Sequence, residues 1–526
     1  MATRARRRTT ARGFDRSAYE QGAEAFLAEL NEERFRNVAG LSDTSAQAAV
    51  YTRYASLFTP ETIDALRSAV DSGGEESARN RALLAFASDG YLHRSTADLP
   101  DRIATAESRA VINWRGEPIR YHLARNRISS TGDRWERNAL FEQWLRAVEA
   151  INPLRIERLE AWHQAVQALG YADYVELVRV ARGWNPDELA ALTRGALNAS
   201  ETGYYAAIRR LLAGAGIEQG DGSLADAWFV LRGTGWDAWF EPRRLSRTLE
   251  GTLRGLGMEL RGQPGVTLDL EPRPSKASEA YCVAVRVPGD VRLVVNPRGG
   301  WEDMSGALHV AGHLEHFISI PPGTPPSLGP LGDTSVGQGY ACLMEGLLGE
   351  PGWLAESLGM GEPAQVAFVD FVALAMLHRL RLSGGQLIYE LGLHRGGEYA
   401  IHRAVYAGTL GLLTGVRWPE ETYLSTSVDV LHAGTSLRAT MLAGILDQEL
   451  RRRHTDGWWR SPEAGTMLRE LFSRGSAWNA ERVVASLGYD ALDWRPVLRK
   501  IRTQLIGEMS GYGGPNITTR AGTRKI

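Results

Sequence analysis

Leu308-His309-Val310-Ala311-Gly312-His313-Leu314-Glu315-His316-Phe317 is the stretch on which the reading of this chain turns, because three of its eleven histidines fall inside it. On a helix, His309 and His313 are four residues apart and lie one above the other on one face, the geometry in which two imidazoles share a tetrahedral zinc ion. His316 shares that face, but seven residues correspond to about 10.5 Å of helix rise, too long for three rings to reach one ion. It is expected to support the site from behind or to pack. The spacing alone is a weak signal, since an isolated HxxxH is more often an ordinary pair of helix residues, so the surrounding sequence has to carry the argument.

Around this stretch the chain reads as mainly α. From about Tyr19 to Leu256, apolar residues recur at three- and four-residue spacing, as in Glu157 to Trp162, which predicts a succession of amphipathic helices. Asn185-Pro186 with Glu188, and Ser461-Pro462 with the stop at Gly475, carry the marks of capped helices. Between Val266 and Val295 the runs VTLDL, YCVAVRV and VRLVV, separated by turn residues, predict a small antiparallel sheet. Helices then resume to about Gly507. The expected organisation is a basic disordered tail over 1–18, a helical lobe over 19–256, a second lobe with the sheet and the histidine helix over 257–507, and a flexible tail over 508–526. Trp458 and Trp459 are expected to pack beneath the Ser461 helix.

The histidine stretch and its flanks resemble the thimet-oligopeptidase and oligoendopeptidase family of zinc metallopeptidases. The resemblance runs through Arg273-Pro274-Ser275-Lys276, Ala280-Tyr281-Cys282, Val285 to Pro288, Gly299-Gly300-Trp301-Glu302-Asp303, LHVAGHLEHF, Pro326-Ser327-Leu328, Asp333 to Ala341, Glu350 to Leu354 and Trp458 to Gly465. It implies a two-lobed helical metallopeptidase-like (zincin) fold with a deep central channel. It also implies roles. In the family, HExxH supplies two zinc ligands and a general base, and a glutamate 25 residues after the second histidine is the third ligand. Here the base position is Val310 and the third-ligand position is Gln338, so the motif is degenerate. Valine accepts no proton, and a neutral amide oxygen holds a dication less tightly than a carboxylate. The late-helix tyrosines that bind the oxyanion in the family correspond to His432 and Ser436, within Asp429 to Arg438. Asp303 and His316 stand as supporting residues. Glu302, Asp303 and Glu315 are the candidates for a replacement base, with Glu315 turned away from His313 on a helix.

The functional expectation is a non-proteolytic homologue, a pseudopeptidase that binds a peptide or peptide-like ligand in its channel, with retention of Zn2+ at a weakened site left open. The alternative is a metal-dependent enzyme of another reaction class using His309 and His313, and residual peptidase activity comes third. A protein partner stays open. A net charge of −2 offers no field for nucleic acid. The most apolar stretch, Val366 to Leu377, is interrupted by Asp370 and too short to span a bilayer. Two cysteines and no apolar segment after the basic N-terminus point to a cytoplasmic location.

Overall fold

Helix boundaries fall where short polar side chains satisfy the backbone N–H groups that a helix start leaves open. Asn185 accepts from the Asp187 N–H at 3.1 Å, and Ser461 from the Ala464 N–H at 3.1 Å, each with proline as the first helical residue, as the sequence predicts. The computed structural model describes residues 14–42, 46–70, 74–425 and 431–505. The tail expected over 508–526 and residues 1–13 of the N-terminal one lie outside these, as do Asp429 and Val430. Asp15 caps a helix Arg16–Val38 by accepting from the Ala18 N–H, so helix begins inside the stretch read as a tail.

The spine of the first half is the helix Arg134–Ala168, which buries Leu140, Trp144, Val148, Leu159 and Trp162 at helical spacing. Each such side chain contributes about 1.5–3 kcal/mol on burial. One feature here departs from the all-helical expectation: Val111–Trp114 pairs antiparallel with Glu117–Arg120. The hairpin closes through Arg115 (φ 52°) and Gly116 (φ 85°), two successive left-handed residues of the kind a two-residue hairpin turn requires.

The predicted sheet lies at Val266–Asp269, Tyr281–Arg286 and Asp290–Val294. Its last two strands are antiparallel as expected, but Val266–Asp269 joins the other edge of Asp290–Val294 in parallel, so the sheet is mixed. The Arg273 to Lys276 motif has a structural task there. The buried Lys276 ammonium donates to Asp269 Oδ1 at 2.7 Å and to the Val295 carbonyl at 3.1 Å, tying together the ends of two strands. The helix Arg16–Val38 packs on this sheet, with Asn31 donating to the Ala284 carbonyl at 2.8 Å. The first helix thus reaches across the boundary read at 256/257.

The sheet delivers the chain through Gly299 and Gly300, at φ 93° and 97°, into the histidine helix Trp301–Ser319. That helix runs antiparallel to Thr334–Glu345, and Gly312 sets their separation: a Cβ there would stand 2.7 Å from Ala341 Cα and 2.8 Å from the Tyr340 carbonyl oxygen. On the far side of Thr334–Glu345, Gly339 admits Leu442 of the helix His432–His454 equally closely. Trp458 and Trp459 are buried as predicted, Trp458 donating to Asp447 at 3.0 Å. Among the described residues no helix is long and apolar enough to cross a membrane.

The close approach at Gly312 has a measurable cost when filled. Gly312→Val is expected to lower unfolding stability by about 1–3 kcal/mol, the usual range for overpacking. Urea denaturation checks this, and an unchanged midpoint and slope would contradict the packing described.

Candidate metal centre

Antiparallel packing matches the histidine helix to its partner residue by residue. His309 meets Glu345, Gly312 meets Ala341, His313 meets Gln338, and His316 lies over Gly337 and Tyr340. The His309 and His313 rings stand edge to face with centroids 5.2 Å apart. Both are half-buried, so the pair is open to small solutes on one side.

Two groups of metal donors share His309. In the first, His313 Nε2 lies 3.2 Å from Gln338 Oε1. Two donors each about 2.0 Å from a tetrahedral zinc are about 3.3 Å apart, so this pair has the separation of neighbouring ligands. His309 Nδ1 lies 3.2 Å from Glu345 Oε2, which leaves Nε2 for an ion and places a carboxylate behind the ring, the usual support of a metal-binding histidine. His309, His313 and Gln338 therefore fit a divalent metal as a neutral donor set. The second group is His309, Cys342 and Glu345, whose donor atoms all lie within 4.8 Å of one another.

Charge at the site is organised by Glu345. Arg379 donates to its Oε1 at 2.7 Å, and the Ser305 hydroxyl donates to the same oxygen at 2.6 Å. Burial opposes ionisation, but Arg379, His309 and Ser305 together hold this carboxyl well below the usual range. Burial likewise disfavours a charged His309, yet hydrogen bonding to Cys342 and Glu345 outweighs it and raises the ring to about 10. A metal must displace that proton. His313 differs: burial, then the neighbouring His309 and His316, push it down to about 3, so its lone pair is available at neutral pH.

Val310, at the base position, is buried and apolar. None of the three alternative carboxylates reaches the histidines. Asp303 Oδ2 accepts from the N–H groups of Arg298 and Gly299 at 2.6 and 2.7 Å, so it closes the turn into the helix, about 9 Å of rise before His309. Its expected supporting role at the metal gives way to this turn-closing task. Glu302 faces Arg232 in the same first turn. Glu315 is buried towards the sheet, accepts from Gln263 at 3.0 Å, and is pushed up to about 7 by burial. His316 is enclosed by Phe317, Tyr340 and Phe472.

Of the two residues expected at the oxyanion, Ser436 lines a cleft of about 140 Å3 together with Gln338, Cys342, Glu345 and Arg379. His432 is the exposed first residue of its helix and is not part of that lining. Sequence reasoning passed over Cys342 and Glu345. Their signal was periodicity, because Gln338, Cys342 and Glu345 follow at i, i+4 and i+7 and so share one helix face. A second cleft, of about 460 Å3, opens between the first-half helices and the loops around Leu331 and Ala477, with Tyr51, Arg81, His93 and Trp184 in its walls.

Solved structures with this arrangement of elements exist. The chain superposes over 92% of its length on 89% of a Bacillus anthracis (strain Ames) protein assigned as oligoendopeptidase F, with TM-score 0.62 and 14% identity. The fold is that of the oligoendopeptidases. PZ peptidase A in complex with an inhibitor matches over 93% of this chain and 95% of its own, with TM-score 0.60 and 16% identity. A Pyrococcus furiosus carboxypeptidase matches over 93% and 98%, with TM-score 0.57 and 13% identity. At such identities the likeness is one of fold. No protein-family model and no curated protein matches the sequence. The oligoendopeptidase fold thus accounts for the mainly helical architecture with its small sheets.

His316 makes the stability of this fold pH-dependent. Burial lowers its pKa to about 4, whereas an unfolded histidine titrates near 6.5. Between those values the unfolded chain binds the extra proton, so the contribution is complete above about pH 6.5 and is lost as pH falls towards 4. Glu315, raised in the fold, acts in the opposite sense and costs stability as pH rises from about 4.5 towards 7. The difference between wild type and His316→Leu isolates the histidine. The variant is expected to lose stability less steeply from pH 6.5 to 4, by about 1–3 kcal/mol over the interval, and equal slopes in urea titrations would contradict this.

Proposed function

We propose that this chain is a non-proteolytic relative of the oligoendopeptidases, which binds a peptide or peptide-like ligand and holds a divalent metal at His309. One observation carries the reading: among the described residues, the carboxylate hydrogen-bonded to the histidine pair is Glu345, and it is committed to Arg379, Ser305 and His309. Peptide hydrolysis at such a centre needs a carboxylate free to take a proton from the attacking water. Glu345 is stabilised as an anion by these partners, so it does not serve as the base. Val310 has no group to offer.

The residues still able to act have simpler tasks. His309 and His313 present nitrogen donors and Gln338 an amide oxygen. A metal held at His309 would supply Lewis-acid polarisation of a ligand oxygen. Ser436 contributes a hydroxyl at the cleft wall, and Arg379 a half-exposed cation suited to a carboxylate. The larger cleft supports the peptide-ligand part of the reading, because its mixed aromatic and charged walls and its volume suit a short peptide. A second reading, metal-dependent chemistry of another class, draws on the survival of both histidines beside a lost base.

Purified protein supplied with stoichiometric zinc is expected to leave a mixed, internally quenched peptide library uncut over a day, while a peptide subset binds and shifts tryptophan fluorescence. Reproducible cleavage abolished by His313→Ala would overturn the proposal. In parallel, His309→Ala is expected to weaken zinc retention by about tenfold or more, since it removes the donor on which the metal-holding part of the reading rests.

A further inference from the structure

The two donor groups that share His309 are not equivalent, and the difference decides which ions the centre takes. His309, His313 and Gln338 are all neutral, so a dication held by them keeps its full charge in a half-buried place. His309, Cys342 and Glu345 bring one neutral ring, one sulfur that coordinates as a thiolate and one carboxylate, which together cancel the charge of a divalent ion.

Geometry favours the same group. Cys342 and Glu345 are three residues apart on the helix Thr334–Glu345 and project from one face towards His309. The two oxygens of Glu345 are differentiated. Arg379 and Ser305 occupy Oε1, while Oε2 points at His309 Nδ1 from 3.2 Å, close to the separation of about 3.3 Å between two ligands of one tetrahedral ion. Cys342 is a free thiol that lines the 140 Å3 cleft with Glu345, so an ion between them would keep a position open to that space.

We propose that the divalent ion is held by His309, Cys342 and Glu345, with the Cys342 thiolate as ligand, so that the centre selects a thiophilic cation such as zinc or cobalt over magnesium or calcium. The proposal rests on the reading above that His309 holds a metal, and it names the other ligands. The chain has kept the histidine helix and moved the ion by about one helical turn along the partner helix, from Gln338 to Cys342 and Glu345.

Cobalt(II) added to the metal-free full-length protein tests this, because a thiolate ligand gives an intense near-ultraviolet sulfur-to-cobalt charge-transfer band and nitrogen or oxygen ligands do not. Wild type is expected to bind one equivalent with that band. Cys342→Ser, which alters one atom, is expected to lose the band and bind at least about tenfold more weakly, with an unchanged circular dichroism spectrum. Gln338→Ala is expected to keep both band and affinity. Stoichiometric cobalt without the band, weakened by Gln338→Ala or His313→Ala and not by Cys342→Ser, would overturn this inference while leaving the proposed function standing. Failure of cobalt and zinc to bind any of these proteins would overturn both the inference and the metal-holding part of that function.

Discussion

The contact between Gly312 and the backbone of Tyr340 and Ala341 is the constraint on which the centre depends. Two helices whose backbones approach this closely have no freedom to slide, because any side chain at Gly312 would meet main-chain atoms. That fixes the register in which His309 faces Glu345 and His313 faces Gln338. Gly337 extends the logic by one turn. A Cβ there would stand 2.9 Å from His316 Nδ1, so the third histidine is wedged into the helix pair as a packing element. The first helix and the sheet brace the entry to the histidine helix, and His432–His454 braces its partner through Gly339.

On that frame the chemistry is a matter of which carboxylates are free. A peptidase centre needs one carboxylate poised to gain a proton and others fixed as anions. Here Glu345 is fixed as an anion, Asp303 is spent on backbone N–H groups, and Glu315 is buried on the opposite face with its pKa pushed up. The two histidines are also unlike each other: His309 is charged through its partners and His313 is held neutral by burial. On the proposed reading the scaffold grips an ion or a ligand, and among the described residues the carboxylate hydrogen-bonded to the histidine pair is already committed to other partners.

Much of this was legible in the chain before its structure. The caps at Asn185 and Ser461, the helix carrying His309 and His313, and the buried tryptophan pair follow from local rules, because each depends on residues within one or two turns. Asp303 reads as a metal support in the sequence, and only the structure shows it closing the turn at Arg298 and Gly299. What escaped depends on partners distant in sequence. Alternation in VTLDL shows a strand but not which edge it joins or in which direction, and the hairpin at Arg115-Gly116 is too short to stand out from the helices around it. Cys342 and Glu345 share a helix face with Gln338, yet only the antiparallel register set by Gly312 brings that face to His309.

The central claim is that this helix pair presents metal donors without a base. Diffraction from crystals of the zinc-loaded protein, with the anomalous signal collected on both sides of the zinc edge, tests it most directly. The account predicts one strong peak within bonding distance of a His309 ring nitrogen, with no carboxylate other than Glu345 within hydrogen-bonding reach of the metal's open position. It is contradicted if the peak lies away from His309, or if Glu302, Glu315 or another free carboxylate stands beside the metal-bound water.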